Sequence, residues 1–220
     1  SVSETAVGAV QRDLKEFFQM GPDTVLPEPL ASLVAEYRSH SWALGLALLD
    51  SLEQSLQSVS EGTLAEGAQG LSGRLSEQQS LLRVVHYPPL DADAGGATRA
   101  AAHEDINLLT ILPVAQEPGL QVRDQGGNWH PVHGSSGHLI VNAGDMLAEA
   151  TGGFIRSTSH RVVNPTDPAA RARSRIAAPY FLAPEPDTVL SNRYTAGAYL
   201  EERLALIGLS SPSAPAKPPR

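Results

Sequence analysis

Between Glu36 and Leu56 apolar side chains recur at three- and four-residue steps, at Ala43, Leu44, Ala47, Leu48, Leu52 and Leu56. That period predicts an amphipathic helix burying one face. Upstream, Asp13 to Phe18 fits helix and strand alike, and Gly21-Pro22 ends it in either case. From Leu81 the period falls to two. Leu81 to Tyr87 (LLRVVHY) reads as a strand stopped by Pro88-Pro89. Further strand-like runs lie at 106–112, 120–123, 129–132, 138–141, 159–163 and 176–182, separated by turn signals such as Glu117-Pro118-Gly119, Gly126-Gly127-Asn128 and Asn164-Pro165. Many short strands at this spacing predict a sandwich or small barrel. Between the two regimes, Gly62, Gly67, Gly70 and Gly73 sit among Ser, Glu and Gln, which predicts a mobile connection over 59–79 with a short helix near Ala65. Thr195 to Ile207 returns to helical spacing, and the tail from Ser210 (SSPSAPAKPPR) is expected to be disordered.

The expected organisation is therefore a helical or mixed portion over 1–80 packing on a barrel core at 81–190, then a C-terminal helix over 191–209 and the tail at 210–220. The fold class is mainly β with flanking helices. Composition narrows the function. A hydrophobic fraction of 41% supports a sizeable core, but aromatics at 5% leave it to Leu, Val, Ile and Ala. Sixteen Lys and Arg against 24 Asp and Glu give a net charge of −8, which argues against a nucleic-acid partner. The absence of cysteine excludes disulfides, thiolate metal sites and cysteine nucleophiles. The most apolar stretch, Trp42 to Leu49, is too short to span a bilayer, and no signal-peptide pattern opens the chain, so a cytoplasmic protein without a membrane partner is expected. The chain starts at Ser1 rather than Met, which points to a missing upstream segment.

Chemistry concentrates at His103-Glu104-Asp105. In a strand, residues two apart share a face, so His103 and Asp105 would project together while Glu104 points away. An imidazole and a carboxylate need one more ligand to hold a divalent iron from one side, an arrangement that suits non-haem Fe(II) oxygenases. His160, at the head of Ser159-His160-Arg161-Val162-Val163, is the best candidate for that ligand.

The order of these motifs resembles the isopenicillin N synthase-like family of Fe(II)/2-oxoglutarate-dependent dioxygenases, also described as iron/ascorbate-family oxidoreductases. Arg83 to Pro89 (RVVHYPP) resembles the family's strand ending in Tyr-Pro-Pro, and His103 to Leu112 (HEDINLLTIL) its His-x-Asp strand. Gly119-Leu120-Gln121-Val122 with Trp129 resembles the next hairpin; Val141 to Asp145 and Ser157 to Val162 resemble the run to the third ligand. Residues 1–80 match less distinctly and resemble the portion after the family's N-terminal strands. The resemblance implies a double-stranded β-helix (jelly roll), Fe(II) held by His103, Asp105 and His160, and 2-oxoglutarate as co-substrate. Oxidative decarboxylation would then give succinate and CO2 while O2 oxidises a small-molecule substrate, most commonly by hydroxylation. The family's Arg-x-Ser signature, aligned on Pro179-Tyr180-Phe181, places the arginine at Arg175, gripping the distal carboxylate of the co-substrate with help from the Tyr87 hydroxyl.

Two departures stand out. Ala177 occupies the serine position, which removes one hydroxyl contact, about 0.5–1.5 kcal/mol, and leaves ascorbate-driven oxidation as an alternative. Val85-His86 replaces a pair that is often Asn and Tyr, which should alter the wall of the substrate pocket. Other residues have plainer readings: His130, His133 and His138 as solvated hairpin histidines, Glu149, Glu201 and Glu202 as surface, and Arg161, Arg171 and Arg173 as rim, with Arg161 placed to brace the site. Outside the oxygenase reading stand a catalytically silent barrel serving as a binding or scaffold protein, and a zinc-dependent isomerase or hydrolase on a similar barrel. No partner motif stands out.

Overall fold

A computed structural model of the chain describes residues 12–59, 65–90 and 96–208. Strand β1 (Glu16–Met20) is followed by the long helix α1 (Leu30–Val59), and then come β2 (Leu81–Tyr87), β3 (Ala100–His103), β4 (Leu109–Pro113), β5 (Leu120–Arg123), β6 (Trp129–Pro131) and β7 (Leu139–Ala143). Helix α2 (Asp145–Ala150) leads to β8 (His160–Val162), α3 (Pro168–Arg171), β9 (Arg175–Ala177), β10 (Tyr180–Leu182) and α4 (Ala196–Leu206). Two antiparallel sheets form the double-stranded β-helix. The larger runs β1-β2-β10-β4-β7 with β9 also on β2; the smaller runs β3-β8-β5-β6.

Two cores result. One lies between the large sheet and the helices, built on Leu49, Leu82, Ile111, Leu147, Tyr180 and Leu182. The other lies in the barrel interior, where Val85, Tyr87 and Ala177 of the large sheet meet Ala100, Leu120 and Val162 of the small one. Helix α1 spans the expected segment, but its buried line runs Ser41, Gly45, Leu49, Leu56, with Leu44, Leu48 and Leu52 flanking it and Ala43 and Ala47 exposed. The smallest residue sets the contact. A side chain at Gly45 would collide with Leu182 of β10, so the axis approaches the sheet there. Tyr37 fixes the approach by donating to the carbonyls of Ile111 (3.2 Å) and Ala178 (3.0 Å).

The ambiguous stretch from Asp13 becomes strand only from Glu16, where Glu16–Met20 pairs with β2 along its length. The run at 176–182 is two strands; Arg83 N–H bonds the Pro179 carbonyl at the break, and only then does the chain cross from β2 to sit between β2 and β4. The segment after α1 differs from the expected mobile connection. Residues 60–64 lie outside the described residues, but the following stretch forms two 3-10 turns, Glu66–Ala68 and Ser72–Arg74, with Gly67, Ala68 and Leu71 buried. Glu53 of α1 ties it down, its two carboxylate oxygens accepting from Gly70 N–H (2.8 Å) and Leu71 N–H (3.1 Å). The C-terminal helix occurs as read, with the Thr195 hydroxyl accepting from Ala198 N–H as its cap. The tail from Ser210 lies outside the described residues.

Candidate metal centre and co-substrate pocket

Antiparallel pairing of β3 with β8 puts His103 directly opposite His160, with ring centroids 4.4 Å apart. Each imidazole is oriented by its own backbone. His103 Nδ1 lies 2.8 Å from the Ala101 carbonyl and His160 Nδ1 3.1 Å from the Thr158 carbonyl. A carbonyl only accepts, so Nδ1 carries the proton in both rings and Nε2 presents its lone pair. Asp105 does not share a strand with His103. β3 ends at His103 after a register shift, and Asp105 sits in the following loop, where its carbonyl accepts from Asp145 N–H at 2.9 Å. The same-face expectation therefore reaches the right neighbour by another route, with Glu104 exposed and Asp105 buried.

The Asp105 carboxylate is held as firmly as the rings. Thr110 Oγ1 donates to Oδ2 at 2.7 Å and accepts from Asn107 Nδ2 at 2.9 Å, while Oδ1 lies 3.6 Å from His160 Nε2. Ligand atoms of His103, Asp105 and His160 all fall within 4.8 Å of one another, and the three form the one such His/Asp/Glu group among the described residues. Burial, reinforced by neighbouring His160, holds the His103 imidazole down at about 4 against the opposing pull of Asp105. His103 is thus neutral at pH 7, as a metal ligand must be.

A second polar cluster lies in the barrel interior. Arg175 opens β9 opposite Tyr87 of β2 and is 3% exposed. Its Nε donates to the Glu117 carbonyl (3.1 Å), its guanidinium carbon stands 5.2 Å from the Tyr87 ring, and its Nη1 is buried without a hydrogen-bond partner. Burial pushes the Tyr87 phenol up while Arg175 pulls it down. Ala177, two residues on, faces the same interior opposite Val85. His86 does not contribute to the wall. It points away, pairing with Glu16 at 2.6 Å, so of the Val85-His86 departure only Val85 faces inward.

A cavity of about 1220 Å3 reaches His103 and Asp105, with Lys15, Phe17, Arg83, Phe181 and Asp145 among its walls. The Arg83 guanidinium lies over the rings of Phe17 (4.4 Å) and Phe181 (5.5 Å). Asp145, overlooked in the sequence, is 9% exposed. Burial pushes its carboxyl up to about 7, Arg203 opposing and Glu104 assisting.

The remaining candidates are peripheral. His130 bonds Asp124 at 2.7 Å, His133 is exposed, and His138 Nδ1 accepts from Ser135 N–H. Arg161 does not brace the metal centre; it stacks on Trp129 at 4.1 Å and donates to Gln121. Arg173 pairs with Glu117 at 2.7 Å, and Arg171 closes α3. Glu149 is half-buried and accepts from Ser191 at 2.6 Å, whereas Glu201 and Glu202 are exposed.

The profile of the 2OG-Fe(II) oxygenase superfamily matches residues 78–184, which enclose both clusters. A crystal structure of a Shewanella oneidensis protein assigned as an oxygenase superposes with a TM-score of 0.77 at 40% identity, covering 90% of this chain and 73% of that one. The chain belongs to the 2OG-Fe(II) oxygenase superfamily. Fe(II) and 2-oxoglutarate are the cofactor and co-substrate of this superfamily, and the isopenicillin N synthase-like resemblance falls within it. A full-length Neurospora crassa protein, solved in complex with alpha-KG, matches at 25% identity and a TM-score of 0.67, over 89% of this chain and 67% of that one. The 2-oxoglutarate-dependent dioxygenase frbA of Dothideomycetidae sp. (strain 11243) is 36% identical over 151 residues, 64% of this chain and 45% of the relative. The chain thus spans about half the length of that relative. Among the described residues no helix is long and apolar enough to cross a membrane.

Proposed function

We propose that this chain is a non-haem Fe(II)- and 2-oxoglutarate-dependent oxygenase that oxidises a small molecule, most simply by hydroxylation, with release of succinate and CO2. The observation that carries the reading is the group of His103, Asp105 and His160, the last two buried, with both Nε2 atoms bared and Asp105 bonded from behind. Two imidazoles and one carboxylate suit Fe(II) and leave positions for co-substrate and O2. Bound together, Fe(II) and 2-oxoglutarate supply O2 activation coupled to decarboxylation of the keto acid. The protein's own residues bind and orient. Arg175 receives the distal carboxylate in a charge-assisted contact, Tyr87 adds a hydroxyl beside it, and the apolar interior around Val85, Leu120 and Val162 keeps water from the reacting centre. The missing hydroxyl at Ala177 weakens co-substrate binding without removing it.

The remaining assignments follow the same reading. The barrel core spans 81–190, with β1 added to its large sheet and α1 packed outside, and α4 follows it. With a net charge of −8, neither nucleic acid nor a membrane is a partner, and the site of action is the cytoplasm.

Anaerobic titration with Fe(II) and then 2-oxoglutarate tests the proposal. The visible charge-transfer band of a chelated keto acid should appear in the wild type. His103→Ala and Asp105→Ala should bind no iron, and Arg175→Ala should lose about 2–5 kcal/mol of co-substrate affinity. A protein that binds iron but shows no band would favour the ascorbate-driven alternative; one that binds no iron would be the scaffold.

A further inference from the structure

Resting on that reading, a second arginine bears on the co-substrate. Arg99 immediately precedes β3, on the sheet facing Arg175, and is 1% exposed. Its Nη2 donates to the Arg173 carbonyl at 2.9 Å, and its Nε is buried without a hydrogen-bond partner. Arg175 donates to the Glu117 carbonyl, and Arg173 in turn grips Glu117, so both buried guanidiniums converge on the junction of the turns at 117 and 173. Ala100, next to Arg99, shares the interior core with Tyr87 and Ala177. Arg99 and Arg175 also act electrostatically on each other and on the Tyr87 hydroxyl.

Two like charges are thus buried together, and the Glu117 carboxylate, which attracts Arg99 through space, hydrogen-bonds neither of them. Glu117 places its two oxygens 2.7 and 3.2 Å from Arg173 nitrogens. Asp13 gives Oδ2 to Lys15 (2.7 Å) and Oδ1 to the Ala101 N–H (2.9 Å). What Arg99 and Arg175 receive from the chain in these bonds are neutral carbonyls, and a buried pair of cations so compensated calls for an anion. We propose that Arg99 is a second cationic contact for the distal carboxylate of 2-oxoglutarate, standing in for the hydroxyl that Ala177 lacks.

The test compares two ligands that differ only at that carboxylate. Anaerobic Fe(II) protein is titrated with 2-oxoglutarate and with 2-oxopentanoate, following the charge-transfer band. Arg99→Gln should raise Kd for 2-oxoglutarate about tenfold or more and leave Kd for 2-oxopentanoate and for iron unchanged; Arg99→Lys should fall between. Equal weakening of both ligands, or no change in either, overturns the proposal. A crystal structure of the wild-type complex decides the matter even if Arg99→Gln does not fold: a distal carboxylate oxygen at hydrogen-bond distance from Arg99 supports it, and a carboxylate bound by Arg175 without Arg99 overturns it. If Arg175→Ala loses discrimination between the ligands and Arg99→Gln keeps it, Arg99 alone is struck out. If the wild type binds iron but not 2-oxoglutarate, the proposed function falls with it.

Discussion

Thr110 bonds one oxygen of Asp105 and is itself bonded by Asn107, so the carboxylate is aimed by a relay of three side chains. Removing the middle member leaves Oδ2 without its donor and lets the carboxylate rotate. Thr110→Val, close to isosteric, should therefore weaken Fe(II) binding by about 10–100-fold while the protein stays folded; unchanged affinity in anaerobic titration would mean the relay is dispensable. The proposed metal ligands are legible as single residues, since His and Asp in a short pattern suggest their chemistry. Thr110 and Asn107 are not, because their roles exist only once the loop after β3 folds back. Arg99 left a faint trace, one charge ahead of three alanines that open a strand.

At the scale of elements, close approaches govern the packing of the helical layer. A Cβ added to Gly67 would strike the backbone carbonyl of Leu190, which cannot swing aside as a side chain can. Gly67→Ala should cost about 1–3 kcal/mol, read from the midpoint of urea unfolding, and an unchanged midpoint would show that the turn shifts freely. The glycines at 59–79 looked like a flexible stretch from composition. Part of that stretch is instead docked, because Gly67 permits contact and Glu53, from α1, caps the turn. The same logic moved the buried line of α1. Periodicity weighs Ala43 and Leu44 alike, whereas the sheet receives the helix at Ser41 and Gly45.

At the scale of the whole molecule, the cavity beside the candidate metal centre joins β1, β2, α2 and α4, and Asp145 is one of its buried acids, with Asp13 and Asp105. The Asp145 carboxyl is raised from an ordinary 3.8 to about 7, so the folded state holds the proton more tightly than the unfolded one. Stability from this group is present below about pH 4 and is lost as pH rises through 7. Asp145→Asn removes the titration, so its stability relative to the wild type should climb between about pH 4 and pH 7 and level off above in thermal unfolding of the metal-free protein; a pH-independent difference over about pH 5–7 would show that Asp145 is ionised throughout that range. Sequence alone determined the β-rich class, the strand series from Leu81 and the two outer helices, and it pointed to His103, Asp105 and His160 as candidates, with Tyr87 and Arg175 entering only through the family resemblance. The elements are set by local period, and the candidate residues by short motifs whose order matches the family. Only the tertiary structure decided that the histidines stand opposite one another, that His86 faces outward, that Asp145 is buried in a cavity wall, and that two arginines share the barrel interior. These depend on which strands become neighbours, and neighbours distant in sequence are chosen by burial and sheet pairing across the whole chain.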